Sequence, residues 1–238
     1  YNEYARERRL ASALSRGKEL CMMIGKPGTG KSDGAVCPRH GGTLNSFCAS
    51  LCSEDREKLC VASRGKVFED GTWNGARASR GFLFIIQEGC MIGHAKSADG
   101  KGFGISLFPP GSITNIVRLK DRPDTALEYE SDDHAGYAAG RCSSCMVGVK
   151  EANDLRSRSV SFANALLNQA LTQHENSTLF MSNVGLASSE QRVRLFFREA
   201  RRLGVDMADI THENLSKILG INRVTVTRAM GTVLSEEG

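Results

Sequence analysis

Aromatic residues, prolines and extended apolar segments are all scarce in this chain of 238 residues. Aromatic residues make up 6% of it, with one Trp, and there are five prolines. A core must therefore rest mainly on Leu, Ile, Val, Ala and Met. The apolar runs, such as residues 81–86, are far shorter than the roughly 20 residues that a membrane-spanning helix needs. We therefore expect no membrane partner.

The N-terminus and the overall composition exclude further classes of protein, whereas the net charge does not. Residues 1–9 are charged and contain no apolar signal core, so we expect a cytoplasmic protein with reduced cysteines. The 31 basic residues face 27 acidic ones, and a net charge of +4 neither requires nor excludes a nucleic-acid partner. Hydrophobic residues at 40% and charged residues at 24% argue against disorder along the whole chain. The length predicts one to two domains.

The first 150 residues divide into two segments of different composition. Residues 1–43 are predicted to be an N-terminal extension or linker, because their second half is rich in glycine. Residues 44–150 are predicted to be one domain, and from about Lys66 to Lys150 its short apolar stretches are bounded by Gly, Pro, Asp or Asn, which indicates an antiparallel barrel or sandwich. Ser53 is the predicted N-cap of a short helix that precedes the first of these strands. The clearest predicted strands are residues 82–87, 90–95, 103–108 and 145–149.

Residues 151–185 are predicted to form a long helix. Residues 151–184 contain no Pro or Gly, and apolar or small residues recur every three or four positions, which is typical of a packing seam. This seam either packs on the β domain of its own chain or forms a coiled coil in a dimer, and the length of the segment favours the dimer. The seam residues are Val160, Ala163, Leu167, Ala170 or Leu171, His174, Thr178 and Met181.

The most specific pattern lies at residues 210–230 and is typical of a helix-turn-helix. Thr211 is a predicted N-cap of a first helix, Gly220 allows the backbone to reverse, and Asn222 is a predicted N-cap of a second helix. In such a unit the second helix enters the major groove of DNA. Arg donates bidentately to guanine, and Thr reaches phosphates or a thymine methyl group. The candidate DNA-binding residues are Arg223, Thr225, Thr227, Arg228, Asn222 and Thr211.

The residues around this pattern support the same interpretation. Residues 191–202 hold five arginines against one glutamate, which adds positive charge directly upstream. The alternative is an ordinary helical hairpin with a solvated face. The residues predicted to be buried between the two helices are Leu215, Ile218, Leu219, Val226, Met230 and Val233.

The order of these parts resembles the Crp-Fnr family of bacterial transcription regulators over roughly residues 44–238. The resemblance implies an α+β protein with three parts. They are an antiparallel β-roll of the double-stranded β-helix or jelly-roll type over 44–150, a dimerisation helix over 151–185, and a winged helix-turn-helix domain over 186–238. The motifs that carry it are Phe47-x3-Leu51-x-Ser53-Glu-Asp-x3-Leu59, Phe68-x2-Gly71, Phe84-Ile-Ile-x2-Gly89, Asp99-Gly-Lys101, Pro110-Gly111, and Thr225-Val-Thr-Arg228 after Asn222-Arg223.

The family resemblance also implies residue roles and partners. Arg223 and Arg228 take the places of the family's DNA-contacting arginines. The implied partners are double-stranded DNA, a second copy of the chain and RNA polymerase. Ser177 and Thr178 are candidate effector-binding residues, because they lie near where the family touches its effector.

Three departures from the family pattern concern specificity and signal. Val224 stands where the family commonly has a glutamate, and a Val cannot accept a hydrogen bond from cytosine. Residues 110–119 hold neither the Gly-Glu pair nor the Arg-Ser of cyclic-nucleotide-binding members, so cyclic AMP is not the expected effector and the effector is unknown. The sequence ends at Gly238, before the place of the family's wing hairpin, so the wing either follows this residue or is absent.

The eight cysteines leave three interpretations open. Iron-sulfur members of the family bind a cluster through N-terminal cysteines and one from the β-roll, because four thiolates complete the coordination of the irons. The spacing here does not reproduce that pattern, so a thiolate-bound metal, a metal-free thiol sensor and inert cysteines all remain. His40 and His134 are possible further zinc ligands. The candidate metal ligands are Cys37, Cys48, Cys52, Cys60, Cys142 and Cys145.

Residues 25–32, Gly-Lys-Pro-Gly-Thr-Gly-Lys-Ser, match the phosphate-binding P-loop pattern. That chemistry needs a helix to begin at the Lys-Ser pair, so that backbone amides face the phosphates. Gly34 and Pro38 follow closely and disfavour such a helix, and we interpret the match as chance. A P-loop nucleotide hydrolase is the alternative from another class. The sequence predicts no enzyme, but a dimeric transcription regulator that binds a near-palindromic site and responds to an effector or redox signal at the β-roll.

Overall fold

The computed structural model describes residues 37, 44–74, 81–96, 102–119, 134–206 and 210–236. Helices flank one antiparallel sheet, which confirms the predicted α+β class. The elements up to the end of the sheet are α1 (Ser46–Ser50), α2 (Ser53–Ala62), β1 (Ser63–Phe68), β2 (Trp73–Asn74), β3 (Phe82–Lys96), β4 (Gly102–Phe108), β5 (Ile113–Thr114), a 3-10 turn (Ile116–Leu119) and β6 (His134–Gly148). The helices after the sheet are α3 (Val149–Arg158), α4 (Val160–Phe180), a π-helical turn (Met181–Gly185), α5 (Ser189–Arg202), α6 (His212–Leu219) and α7 (Arg223–Glu236).

Some sequence predictions fall outside the described residues. They are the P-loop match over residues 25–32 and the possible zinc ligand His40. The chain divides into two compact units, Tyr1–Ala35 and Val36–Gly238, and every described residue belongs to the second. The predicted division of residues 44–238 into sensor, dimerisation and DNA-binding parts remains a prediction.

The sheet is built around two long strands, β3 and β6. Its main order is β1-β6-β3-β4, with antiparallel pairing throughout, and β2 and β5 add short pairings to β6 and β3. The separately predicted strands 82–87 and 90–95 are one strand, β3, with register shifts on either side of Glu88. Gly89 (φ +72°) makes this irregularity possible, since a Cβ there would lie 2.3 Å from the carbonyl oxygen of Arg141.

The predicted helix over residues 151–185 is divided at Ser159. Its hydroxyl oxygen accepts from the backbone N–H of Phe162 at 3.0 Å, so Ser159 is the N-cap of α4. The same hydroxyl donates to Oδ2 of buried Asp55 at 2.5 Å. Asp55 lies on α2, which begins at Ser53; the N-cap is Cys52 and not Ser53 as predicted. Ser159 therefore ends α3 and caps the start of α4, and it is held there by the carboxylate of Asp55, which is far away in the sequence.

Helix α4 has two apolar faces. Phe162 and Phe180 are buried against the rest of the described chain. On the other side Val160 is 74% exposed, Leu167 57% and Leu171 60%. These three belong to the predicted seam, which is therefore not the face that packs on the chain's own sheet.

One hydrophobic cluster joins the sheet to the C-terminal helices. It contains Ile92 and Leu107 of the sheet together with Phe196 of α5, Leu215 of α6 and Val226 of α7. Burial of these side chains stabilises the sheet and the helices as one body. Within the described ranges, every helix falls short of the length and apolar character that a membrane span requires.

Candidate nucleic-acid interface

The helices α6 and α7 form a helix pair whose ends are set by local hydrogen bonds. Thr211 Oγ1 accepts from the backbone N–H of Asn214 at 3.2 Å, and Asn222 Oδ1 accepts from the backbone N–H of Thr225 at 3.0 Å. Gly220 adopts φ +60° in the turn, where a Cβ would lie 2.8 Å from the carbonyl oxygen of Gly102. Both predicted caps and the predicted reversal are therefore present.

The helix pair rests on the sheet through α6. Asn214 Nδ2 donates to Asp70 Oδ2 at 2.6 Å, and His94 Nε2 lies 3.4 Å from the carbonyl oxygen of Lys217. The side chains of Leu215, Ile218 and Leu219 are buried, as predicted. Because α6 makes these contacts, the helix pair is held by its first helix and the surface of α7 is left open.

The open surface of α7 is formed by four side chains that we name the outward stripe: Arg223, Val224, Thr227 and Arg228. All four are exposed, and Val224 is 66% exposed. Positions i, i+1, i+4 and i+5 share one face of a helix. Thr225, another predicted contact, is half-buried and lies beside the stripe. The structure thus brings the two predicted DNA-contacting arginines together on one exposed face.

Glu213, an acidic residue whose charge interacts with Arg223 of the stripe, is paired with a lysine. Glu213 Oε1 accepts from Lys217 Nζ at 2.8 Å. That bond, with the charge of Lys217 and then of Arg223, holds the pKa of Glu213 below its usual range. The bond to Glu213 likewise raises the pKa of Lys217. Since the Glu213 charge is balanced by Lys217, the two arginines of the stripe leave this surface positive.

Arg192, one of the five arginines predicted to supply positive charge on residues 191–202, makes hydrogen bonds within the chain. Arg192 donates to the carbonyl oxygens of Ala187, Leu219 and Gly185 at 3.1, 3.1 and 3.3 Å. Its guanidinium also lies 5.2 Å from the ring centre of Phe103. Arg192 therefore connects the turn before α5, the end of α6 and strand β4.

Arg202, at the end of α5, is exposed but also makes hydrogen bonds within the chain. It donates to buried Glu199 at 2.8 Å and to Asn176 at 3.1 Å. Arg192 and Arg202 thus serve the internal structure of the chain, which the run of arginines in the sequence did not indicate.

The two candidate effector residues, Ser177 and Thr178, contact different parts of the chain. Ser177 Oγ donates to Ser106 Oγ on β4 at 2.8 Å. Thr178 is exposed, and its hydroxyl donates to the carbonyl oxygen of His174 at 2.9 Å. An open cleft of about 390 Å³ lies elsewhere, at the break between α3 and α4 beside Cys52. The structure therefore does not bring Ser177 and Thr178 together in this cleft.

The six candidate metal-binding cysteines occupy different places. Cys37, Cys48 and Cys145 are buried in one hydrophobic cluster, whereas Cys142 belongs to another. Cys52 is exposed and Cys60 is half-buried. The six thiols therefore do not all lie in one place. His134, a possible further ligand, is the first residue of β6.

Burial keeps several of these thiols protonated. It raises the pKa of Cys48 to about 12, with smaller contributions from the nearby thiols of Cys145, Cys37 and Cys60, and it raises the pKa of Cys142 to about 12. Metal ligation requires thiolates. Among the described residues, no three Cys, His, Asp or Glu side chains are grouped so as to hold a metal ion.

Comparison with solved structures places this arrangement among known folds. FixK2 from Bradyrhizobium japonicum matches with a TM-score of 0.55 and 18% identity over 74% of this chain and 86% of its own. A protein described as a transcriptional regulator of the Crp/Fnr family from Eubacterium rectale matches with a TM-score of 0.57 and 16% identity, over 80% and 87%. The chain has the Crp-Fnr fold. The c-di-GMP responsive regulator CLP of Xanthomonas campestris shares it, with a TM-score of 0.53 and 14% identity over 78% and 93%.

The comparisons by sequence find no relative. No family model matches the chain, and no curated protein matches it. The resemblance to the Crp-Fnr pattern inferred from the motifs is confirmed at the level of the fold. At 14–18% identity the Crp-Fnr fold alone is shared, so the function is argued below from the residues of this chain.

Proposed function

We propose that this chain is a dimeric, sequence-specific transcription regulator of the Crp-Fnr type, and that α6 and α7 are its DNA-binding helix-turn-helix. The observation that carries the proposal is the outward stripe. Arg223 and Arg228 are exposed together on a helix whose N-terminus is capped by Asn222. Their side chains are thereby presented by a fixed element, as readout of base edges requires. The proposal involves DNA binding and no catalysed reaction.

The proposed docking places the N-terminal turns of α7 in the major groove of double-stranded DNA. Arg223 and Arg228 would donate to guanine O6 and N7, or to phosphates at the rim of the groove. Thr225 and the cap residues Thr211 and Asn222 would lie near the DNA backbone. Val224 offers a thymine methyl group an apolar contact and cannot accept from cytosine N4. We therefore expect a half-site that differs from the usual one of the family.

A second copy of the chain is the proposed partner for the exposed face of α4. Val160, Leu167 and Leu171 form an apolar surface on that face, and such a surface is stabilised when it packs against an identical helix. Two-fold symmetry would then set two copies of α7 about 34 Å apart, one turn of DNA. RNA polymerase remains a proposed partner on family resemblance alone.

A signal at the sheet has a direct route to the helix pair. Asp70, in the turn after β1, accepts from Asn214 of α6, and Arg192 connects β4 to the end of α6. A change in the position of either contact would move α6, and α7 with it. We propose control of DNA binding by this route, with an effector other than cyclic AMP.

Replacement of Arg223 by Ala tests the DNA-binding role. We expect the variant to lose about 1–3 kcal/mol of discrimination between its preferred duplex and unrelated duplexes, the contribution of one bidentate base contact. Fluorescence anisotropy with labelled genomic fragments measures that preference for the wild type and the variant.

Arg64→Ala is the matched control, because Arg64 is exposed on β1 and its removal changes the net charge equally. Unchanged selectivity in the Arg223→Ala protein, with the control also unchanged, contradicts the proposal that α7 reads the bases.

A further inference from the structure

A histidine and a threonine connect the two helices of the pair at its open surface. His212 is the first residue of α6, and Thr227 belongs to the outward stripe of α7. His212 Nδ1 lies 3.2 Å from Thr227 Oγ1. The same Thr227 oxygen lies 3.1 Å from the carbonyl oxygen of Arg223 and donates to it. The imidazole is therefore held against the stripe by a side chain that sits between the two arginines in sequence.

The number of protons shared between His212 and Thr227 decides whether the imidazole can donate a hydrogen bond from Nε2. A threonine hydroxyl has one proton, and here the carbonyl oxygen of Arg223 accepts it. In this arrangement Thr227 Oγ1 is the acceptor for a proton on Nδ1, one of the two roles that the His212–Thr227 contact allows. A neutral imidazole with its proton on Nδ1 has a lone pair on Nε2, which a phosphate oxygen would repel. Only the doubly protonated imidazolium can donate from Nε2 to a phosphate.

The charged groups around His212 come from both helices of the pair. On α6, the Glu213 carboxylate is engaged by Lys217 at 2.8 Å, so it offers His212 little compensating charge. On α7, the Arg223 and Arg228 side chains share the exposed face with Thr227. A DNA phosphate brings negative charge to this surface, which carries two arginines. Negative charge close to His212 stabilises the imidazolium.

We propose that His212 contacts a DNA phosphate as an imidazolium positioned by Thr227, so that each half-site of DNA is bound with uptake of one proton. Thr227, which the sequence predicts as a direct DNA contact, is in this proposal a positioning residue. The inference rests on the proposed DNA-binding function. It adds a pH dependence: affinity for DNA rises as the pH falls, because binding takes up a proton, and it levels off once His212 is protonated in the free protein as well.

Calorimetry measures the proton directly. DNA binding is followed at pH 7.5 in phosphate and in Tris, buffers whose ionisation enthalpies differ, and the difference between the observed enthalpies gives the protons taken up. We expect about one proton per subunit for the wild type. Anisotropy titrations from pH 6 to pH 8.5 should show the dissociation constant rising by about tenfold per pH unit and per half-site above the histidine range.

Two pairs of variants distinguish this role from a structural one. His212→Gln is neutral at every pH and should lose the proton uptake while it still binds DNA, whereas His212→Arg should bind tightly without the pH dependence. Thr227→Val, which removes the acceptor, should reduce the uptake, and Thr227→Ser should retain it. A folded His212→Gln protein that takes up as many protons as the wild type overturns the inference. A wild type that shows no DNA preference at any pH instead overturns the proposed function.

Discussion

A protein with Glu at both position 167 and position 171 should be a monomer that has lost at least 100-fold in affinity for a two-half-site duplex. Leu167 and Leu171 are 57% and 60% exposed on the open face of α4. Two carboxylates on each helix would place four like charges in the proposed dimer seam, where water is excluded. A monomer reaches only one half-site at a time, and loss of the linked second contact costs about 10²–10⁴ in overall affinity. Analytical ultracentrifugation measures the mass, and anisotropy measures the affinity.

The matched control carries the same charges one position further along the helix. Asn168 and Thr172 are both exposed and have the same spacing, so the Asn168→Glu, Thr172→Glu protein should remain a dimer. If the Leu167→Glu, Leu171→Glu protein has the mass and the DNA affinity of the wild type, the apolar face of α4 is not the dimer seam. If the control also dissociates, added charge and not the seam explains the result.

Truncation of Leu215 to Ala should destabilise the protein by about 2–5 kcal/mol, the cost of removing a fully buried leucine side chain and leaving a cavity. Leu215 has no exposed surface and lies in the cluster that also contains Ile92 and Leu107 of the sheet. The surrounding side chains come from the sheet and from α5 and α7, so the cavity cannot close by movement of α6 alone. Urea denaturation followed by circular dichroism measures the free energy of unfolding.

Val224→Ala serves as the control for the Leu215→Ala variant. Val224 is 66% exposed on the outward stripe, and surface substitutions of this kind change stability by about 0.5 kcal/mol or less. Equal free energies of unfolding for Leu215→Ala and the wild type would show that α6 does not pack on the sheet as described. The expected difference between the two variants therefore tests the contact that holds the helix pair.

Local patterns predicted those parts of the fold that depend on neighbouring residues. The caps at Thr211 and Asn222 and the reversal at Gly220 follow from side chains within a few positions of each helix end, and sequence shows them directly. The division of the helix at Ser159 does not follow in this way. A serine is compatible with a helix interior, and the partner that holds it as a cap, Asp55, is far away in the chain.

The candidate site was predictable in part for the same reason. The spacing of Arg223 and Arg228 places both on one face of a helix, and the structure leaves that face exposed. The sequence predicts positive charge at Arg192 and a DNA contact at Thr227, and it does not indicate that these residues also contact Leu219 and His212. Both contacts join two helices across a turn or a loop, and a pattern within one helix carries no information about them.

Selection of duplexes from a random pool tests the proposed DNA recognition most directly. The purified full chain is incubated with a library of double-stranded DNA, and the bound fraction is amplified and sequenced through several rounds. We predict enrichment of an inverted repeat with half-site centres about 34 Å, or roughly ten base pairs, apart. The Arg223→Ala, Arg228→Ala protein should enrich no such repeat. A pool that stays random with the wild type, or an identical repeat selected by the doubly substituted protein, would contradict sequence-specific binding by α7.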